Sequence, residues 1–374
     1  MLRLALIAIA IAATMTGAAL GERDPAPAPQ PRPPVRPAPA QPVEARDRAA
    51  ARKLPLRRLA GSAVIMRFAG NPAPAYVGRA LHAGEAAGVI LFRDNATSPA
   101  ATRRLTGKLQ RAAGDRAIIS TDQEGGAIRI LNWASPASSQ SAVRTPAAAR
   151  AASKAAARDL RRAGVNLNLA PIADRSGPGA LMRSRAFPGG TAAVARITSA
   201  SVRAYAGTGV LPTVKHFPGL GAADGNTDEV RVTINRPAGV IGRADLPPFK
   251  AAISAGAPAV MLSHAVYPAL DRGAIASQSR AIVTDLLKRR LGFRGVAMTD
   301  SLEAYAVRSR MSPETAAVRS VRAGIDVVLT TGQGSHLRVL RALTAEARRS
   351  RAFRARLTDA AQRVSALQRA LRRS

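Results

Sequence analysis

Eight short apolar runs, each followed by a longer stretch of helical character, recur along residues 62–330 and leave few folds open. The runs are 62–68 (SAVIMRF), 87–92 (AGVILF), 117–122 (AIISTD), 166–171 (NLNLAP), 212–217 (PTVKHF), 259–264 (AVMLSH), 295–300 (GVAMTD) and 326–330 (DVVLT). Most are near-continuous apolar segments, the pattern of strands buried on both faces of a parallel sheet. The stretches between them carry helix punctuation. Thr145 precedes Pro146, a capping side chain ahead of a residue whose fixed φ suits the first helical turn, and the segment runs to Ala163 before Gly164. Stretches 191–206, 279–291 and 313–323 read the same way, the last two stopped by Gly292 and Gly324. Eight strand–helix units predict a single-domain (β/α)8 barrel; a doubly wound open sheet is the alternative. The tail, 337–373, is expected as one Arg-rich helical stretch.

Ahead of the barrel, Arg3 is followed by the apolar run 4–15 and the small residues of 16–21. Charge, a short apolar core and small residues are the parts of a secretory signal peptide, and a bilayer span needs ~20 apolar residues. The Pro/Ala/Arg tract that follows suits an extended spacer. The expected division is therefore signal peptide 1–21, disordered linker 22–52 and barrel 53–374, with a secreted or envelope-associated location. An uncleaved N-terminal anchor is the alternative, and the one expected route to a membrane.

Charge narrows the partners. Lys and Arg number 56 against 23 Asp and Glu, a net charge of +33, and only six of the cations are Lys. Such an excess is either a habit of composition or an attraction to anionic envelope polymers. Nucleic acid is not expected, because aromatics are 3% and no binding motif occurs. No Cys is present and the four His are scattered, so neither a metal site nor a cofactor is expected.

In a barrel of this kind the chemistry lies at the carboxyl ends of the strands. Five of the eight runs end in, or lead to, polar chemistry: Asp122, Asp174, Lys215 with His216, His264 and Asp300. One strand-terminal Asp is often only a helix cap; five such ends suggest a polar pocket. No nucleophile elbow and no phosphate-cradling loop occurs. Carboxylates with Lys, His and Arg suit glycoside cleavage, where a developing cation is stabilised or attacked and protons are moved.

Six segments in order carry a resemblance: GVILFRDN (88–95), TDQEGG (121–126), NLNLAPIAD (166–174), SRAF (184–187), KHFPGLG (215–221) and LGFRGVAMTDSLE (291–303). They resemble glycoside hydrolase family 3, in its single-domain bacterial β-N-acetylglucosaminidase (β-N-acetylhexosaminidase) form. The resemblance implies a carbohydrate substrate with a terminal β-linked N-acetylhexosamine and a retaining, two-step mechanism with Asp300 as nucleophile. It implies substrate-binding roles for Asp122, Arg185, Lys215 and His216, leaves Asp174 and His264 as supporting residues, and makes Glu124 an anchor for the Gly125–Gly126 turn. A β-glucosidase of the same family and a secreted sugar binder with weak catalysis are the alternatives.

The family's loop after the Lys-His motif supplies an Asp–His dyad as acid/base. Here Leu220 replaces a motif His, and Asn226, Thr227 and Asp228 stand where Asp-Ser-His would be. Asp228 is the candidate acid/base, with Asp224 and Glu229 as neighbours that could serve, on a loop expected to reach Asp300 only over bound substrate. Ala127 and Ile130 also stand where the family commonly has Arg.

Overall fold

The computed structural model describes residues 45–373 apart from 178. Each of the eight runs forms a strand: β1 (Val64–Arg67), β2 (Gly88–Ile90), β3 (Ile118–Thr121), β4 (Leu167–Asn168), β5 (Leu211–Phe217), β6 (Ala259–Leu262), β7 (Val296–Ser301) and β8 (Val327–Thr330). All pair in parallel, each with its neighbours in sequence, and β1 closes on β8, so the sheet is a barrel and the open-sheet alternative falls. Helices Ala75–Ala83, Pro99–Ala112, Pro146–Arg162, Thr191–Arg203, Leu246–Ser254, Ala281–Arg290, Pro313–Ala323 and Ser335–Arg349 follow the strands in turn.

Local chemistry explains the spacing. Ser98, Thr145 and Ser312 each accept a backbone N–H of the first helical turn, and each is followed by Pro. Gly84, Gly292 and Gly324 end their helices at positive φ, where a side chain would strain the backbone. Strand residues then divide among three clusters, one of them holding Met66, Val89 and Ile119. Ile65, Ile118, Leu167, Met261, Met298 and Leu329 belong to one cluster, whereas Val64, Val214, Val260 and Val328 pack with the helices.

Two expectations need correction at the chain's ends. The tail is two helices, Ser335–Arg349 and Arg351–Arg373, broken at Ser350, whose backbone is extended and whose hydroxyl accepts the Phe353 N–H at 3.1 Å as a cap. Val364, Leu367 and Leu371 of the second helix join the cluster that holds Ile65 and Met261. The expected linker 22–52 ends in a helix, Ala45–Arg52, with Ala51 buried against the main core. The expected signal peptide and the Pro-rich tract lie outside the described residues. No helix among the described residues is long and apolar enough to cross a membrane.

Candidate active site

The carboxyl ends of β3, β5 and β7 bring the expected residues together. Asp122 follows β3 directly and leads into an antiparallel pair, Gln123–Gly125 with Ile128–Arg129, that the strand count missed. Gly125 turns this hairpin at φ +99°, and a Cβ there would sit 2.2 Å from the Ser138 carbonyl oxygen. Lys215, buried in β5, places its Nζ 2.6 Å from Asp122 Oδ1 and 2.6 Å from Glu124 Oε1.

Glu124 does more than anchor a turn, which corrects the sequence reading. Its carboxylate is 2% exposed and accepts two bonds from Arg185, at 2.9 Å from Nε and 2.7 Å from Nη2. Burial opposes its charge, but Lys215 and Arg185 outweigh burial and hold its pKa down at about 2. Arg185, on the stretch between β4 and helix Thr191–Arg203, is thus clamped in a fork-to-fork pair. Sequence inspection missed this hub because a Glu before Gly-Gly reads as a turn residue.

His216 sits between two carboxylates. Asp174 accepts the backbone N–H groups of His216 and Leu220, the latter at 2.7 Å, and lies 2.7 Å from His216 Nδ1. A carboxylate accepting those bonds makes Nδ1 the donor and leaves Nε2 facing Asp300, whose Oδ2 is 3.9 Å away. Leu220, at the position of the family's second His, is buried in the core and still contributes its N–H to Asp174.

Asp300, in β7, accepts the Ser301 N–H at 2.7 Å on Oδ1, and its side chain stays 25% accessible. Burial disfavours its charge, but His216, His264, Lys215 and the Ser301 N–H together hold its pKa below the usual range for Asp. His264 supports it indirectly. Its Nε2–H donates to the Ser301 carbonyl at 2.9 Å, its Nδ1 faces Ser277 Oγ at 2.8 Å, and burial lowers its pKa. Glu303 was quoted in the motif without a role. Its Oε2 accepts the Thr331 N–H at 2.6 Å and lies 3.3 Å from Ser301 Oγ, tying the ends of β7 and β8.

The altered loop packs beside the strand end that carries Asp300. Tyr305 N–H donates to the Asp228 carbonyl at 3.2 Å and Ala306 N–H to the Thr227 carbonyl at 3.0 Å. The loop is docked on the segment that follows Asp300. Asp228 is exposed as a residue, yet burial of its carboxyl and the neighbouring Asp300 push its pKa up to about 6. Asp224 and Glu229 are exposed, and Glu229 accepts from Asn226 at 3.2 Å.

The model of the glycosyl hydrolase family 3 N-terminal domain matches residues 74–367. This chain belongs to that family. It is accordingly a glycosidase. A beta-hexosaminidase of Xanthomonas axonopodis pv. citri is 34% identical over 253 residues, 65% of this chain and 75% of that protein. An uncharacterized secreted glycosyl hydrolase of Arthroderma benhamiae is 34% identical over 289 residues, 74% of this chain and 82% of its own length. Among solved structures, a family 3 beta-N-acetylglucosaminidase from Paenibacillus superposes with a TM-score of 0.81 at 30% identity, over 86% of this chain and 64% of that one. A beta-N-acetylhexosaminidase from Beutenbergia cavernae gives 0.74 at 31%, over 84% of this chain and 99% of that one.

Proposed function

We propose that this glycosidase removes terminal β-linked N-acetylhexosamine from carbohydrate chains by a retaining mechanism, with Asp300 as nucleophile and Asp228 as acid/base. What supports the mechanism is the Asp228 loop seated by backbone bonds on the segment that follows Asp300, together with environments that hold the pKa of Asp300 down and push that of Asp228 up to about 6. One ionised and one protonated carboxyl at one pocket is the division of labour that glycoside cleavage uses. The sugar assignment draws on the beta-hexosaminidase and beta-N-acetylglucosaminidase relatives.

On this reading Asp122, Lys215, His216 and Arg185 grip the sugar, and Glu124 and Asp174 hold the grip in place. Asp228 protonates the leaving oxygen while Asp300 attacks the anomeric carbon and forms a glycosyl ester. Asp228, now ionised, takes a proton from water as that water cleaves the ester and releases the sugar with its configuration retained. Export as a secreted protein is part of the proposal, supported by the 1–21 sequence pattern and by the secreted relative.

The test is release of a fluorogenic aglycone from β-N-acetylglucosaminide and β-glucoside substrates by the purified chain, together with trapping by a slow fluorinated amino sugar. Faster turnover of the amino sugar and a label on Asp300 are expected. Preference for the glucoside would overturn the sugar assignment, and no turnover of either would make the protein a binder.

A further inference from the structure

On the outer wall of the barrel, helices Pro99–Ala112 and Pro146–Arg162 border a groove of about 900 Å³ lined by Arg103, Arg104, Lys108, Arg111, Arg161 and Arg162. A second hollow of about 430 Å³ shares Arg161 and Arg162 and adds Lys154 and Arg158. The two form one track with eight cationic side chains, and no Asp or Glu lines either part. We propose that this track binds a linear, phosphate-bearing polymer, separately from the sugar site.

The walls of the track are short of acids. Three helical Arg elsewhere have an acid within a turn, Arg289 with Asp285 at 2.8 Å, Arg349 with Glu346 at 3.0 Å and Arg356 with Asp359 at 2.6 Å. Helix Pro99–Ala112 contains no acid at all, and Arg103, Arg104, Lys108 and Arg111 have no ion pair among the described residues. Arg104 and Lys108 stand four residues apart, Lys108 and Arg111 three, spacings at which like charges destabilise a helix by about 0.2–0.5 kcal/mol per pair. On the facing helix, Asp159 is the one acid; it is spent on the Ser135 N–H at 2.9 Å and on Arg158 and Arg162 at 3.2 and 3.8 Å. An anion lying between the walls removes this repulsion.

The chemistry of the track selects the ligand. Both walls are donors, so an occupant must accept from two sides. A tetrahedral phosphate does so, and Arg forks fit its oxygens in pairs. No aromatic side chain lines either part, so bases would find nothing to stack on, which disfavours single-stranded nucleic acid. A track of eight cations, rather than one pocket, suits a charge repeated along a chain. Polymer held there raises the local concentration of any glycan attached to it.

The experiment uses the full chain with fluorescent long-chain polyphosphate, read by anisotropy across a salt titration. The quadruple variant Arg104→Gln, Lys108→Gln, Arg111→Gln, Arg162→Gln should bind at least 10-fold more weakly. The slope of log affinity against log salt should fall by about 3, near 0.7 per lost contact. Glycosidase activity should be unchanged, and melting should not fall. A control with the same loss of charge at exposed positions elsewhere, Arg290→Gln, Arg341→Gln, Arg348→Gln, Arg351→Gln, should bind within 3-fold of the parent. Equal weakening in both variants would mean bulk charge and overturn the site. A single-stranded oligonucleotide or polyglutamate that binds as tightly as polyphosphate would overturn the phosphate polymer. Independently of any variant, polyphosphate should shield Lys108 and Lys154 from acetylation on the parent protein; unshielded lysines would also overturn the site.

Discussion

The two ends of the barrel each hold a cluster of buried charge, built from the same residue types to opposite purpose. At the amino ends of the strands, Asp326 is 0% exposed and has its oxygens filled. Lys288 Nζ lies 2.8 Å from both, the Ala297 N–H donates at 2.9 Å, and Arg356 closes on Oδ1. At the carboxyl ends, Asp300 has one backbone N–H and a His at 3.9 Å, and a quarter of its side chain is open. One carboxylate is saturated by its own fold; the other is charged, supported and left with unused acceptor capacity. A buried acid therefore reads as structural or chemical by what remains unsatisfied around it, and not by its burial.

The sharpest way to break the comparison is to remove the charge at each end in turn. Asp300→Asn should lower turnover at least 10³-fold, because an amide cannot form the ester, with little change in melting temperature. A variant that keeps a tenth of parental turnover would remove Asp300 from the reaction. Asp228→Ala should cost about 10²–10⁴-fold on substrates with poor leaving groups and far less on activated aryl glycosides. An equal small loss on both would make Asp228 an ordinary loop residue.

At the other end Asp326→Asn should leave turnover intact and weaken the fold by about 3–5 kcal/mol, since Lys288, Arg356 and Arg363 lose their shared anion. Chemical denaturation followed by CD measures it; a loss under 1 kcal/mol would mean that the cluster is not a clamp. Glu124→Gln falls between the two ends. It should raise KM by roughly tenfold by loosening Arg185 and Lys215, and leave kcat less affected. Parental KM would show that the clamp does not serve sugar binding.

The smallest effect sharpens the carboxylate pair. Asp228 must be protonated to act as acid, so kcat/KM for poor leaving groups should fall as pH rises through about 6. Asp228→Asn should also relieve the raised pKa. A raised folded pKa costs stability once pH exceeds the ordinary Asp range, so the variant should melt slightly higher at pH 7 and not at pH 3. Identical pH profiles of melting would show that Asp228 does not feel Asp300.

Much of this was legible from residues alone. The eight apolar runs, the Ser/Thr-Pro starts and the Gly stops mark the barrel because each rests on interactions within a few residues. The strand-terminal placement of Asp122, Lys215, His216 and Asp300 follows from the same register. Glu124 was misjudged because its partners, Arg185 and Lys215, are 61 and 91 positions away (185 − 124 and 215 − 124), and no local pattern reports a distant ion pair. The docked loop was hidden for the same reason: its bonds are backbone groups of Tyr305 and Ala306, which carry no sequence signal. The break at Ser350 rests on one capping hydroxyl inside an Arg-rich run whose helix formers on both sides favour a continuous helix.

The floor of the barrel has a consequence for how the molecule is made. Residues 351–373 follow every strand in the chain, yet Val364, Leu367 and Leu371 cover the interior layer of Ile65, Met261 and Leu329. Arg356 and Arg363 on that helix also complete the shell of Asp326. During synthesis at ~5–20 residues per second, the stretch from β8 to Leu371 takes roughly 2–8 s. A barrel lacking that helix would be a cup without a base, its lining wet and Asp326 short of two cations.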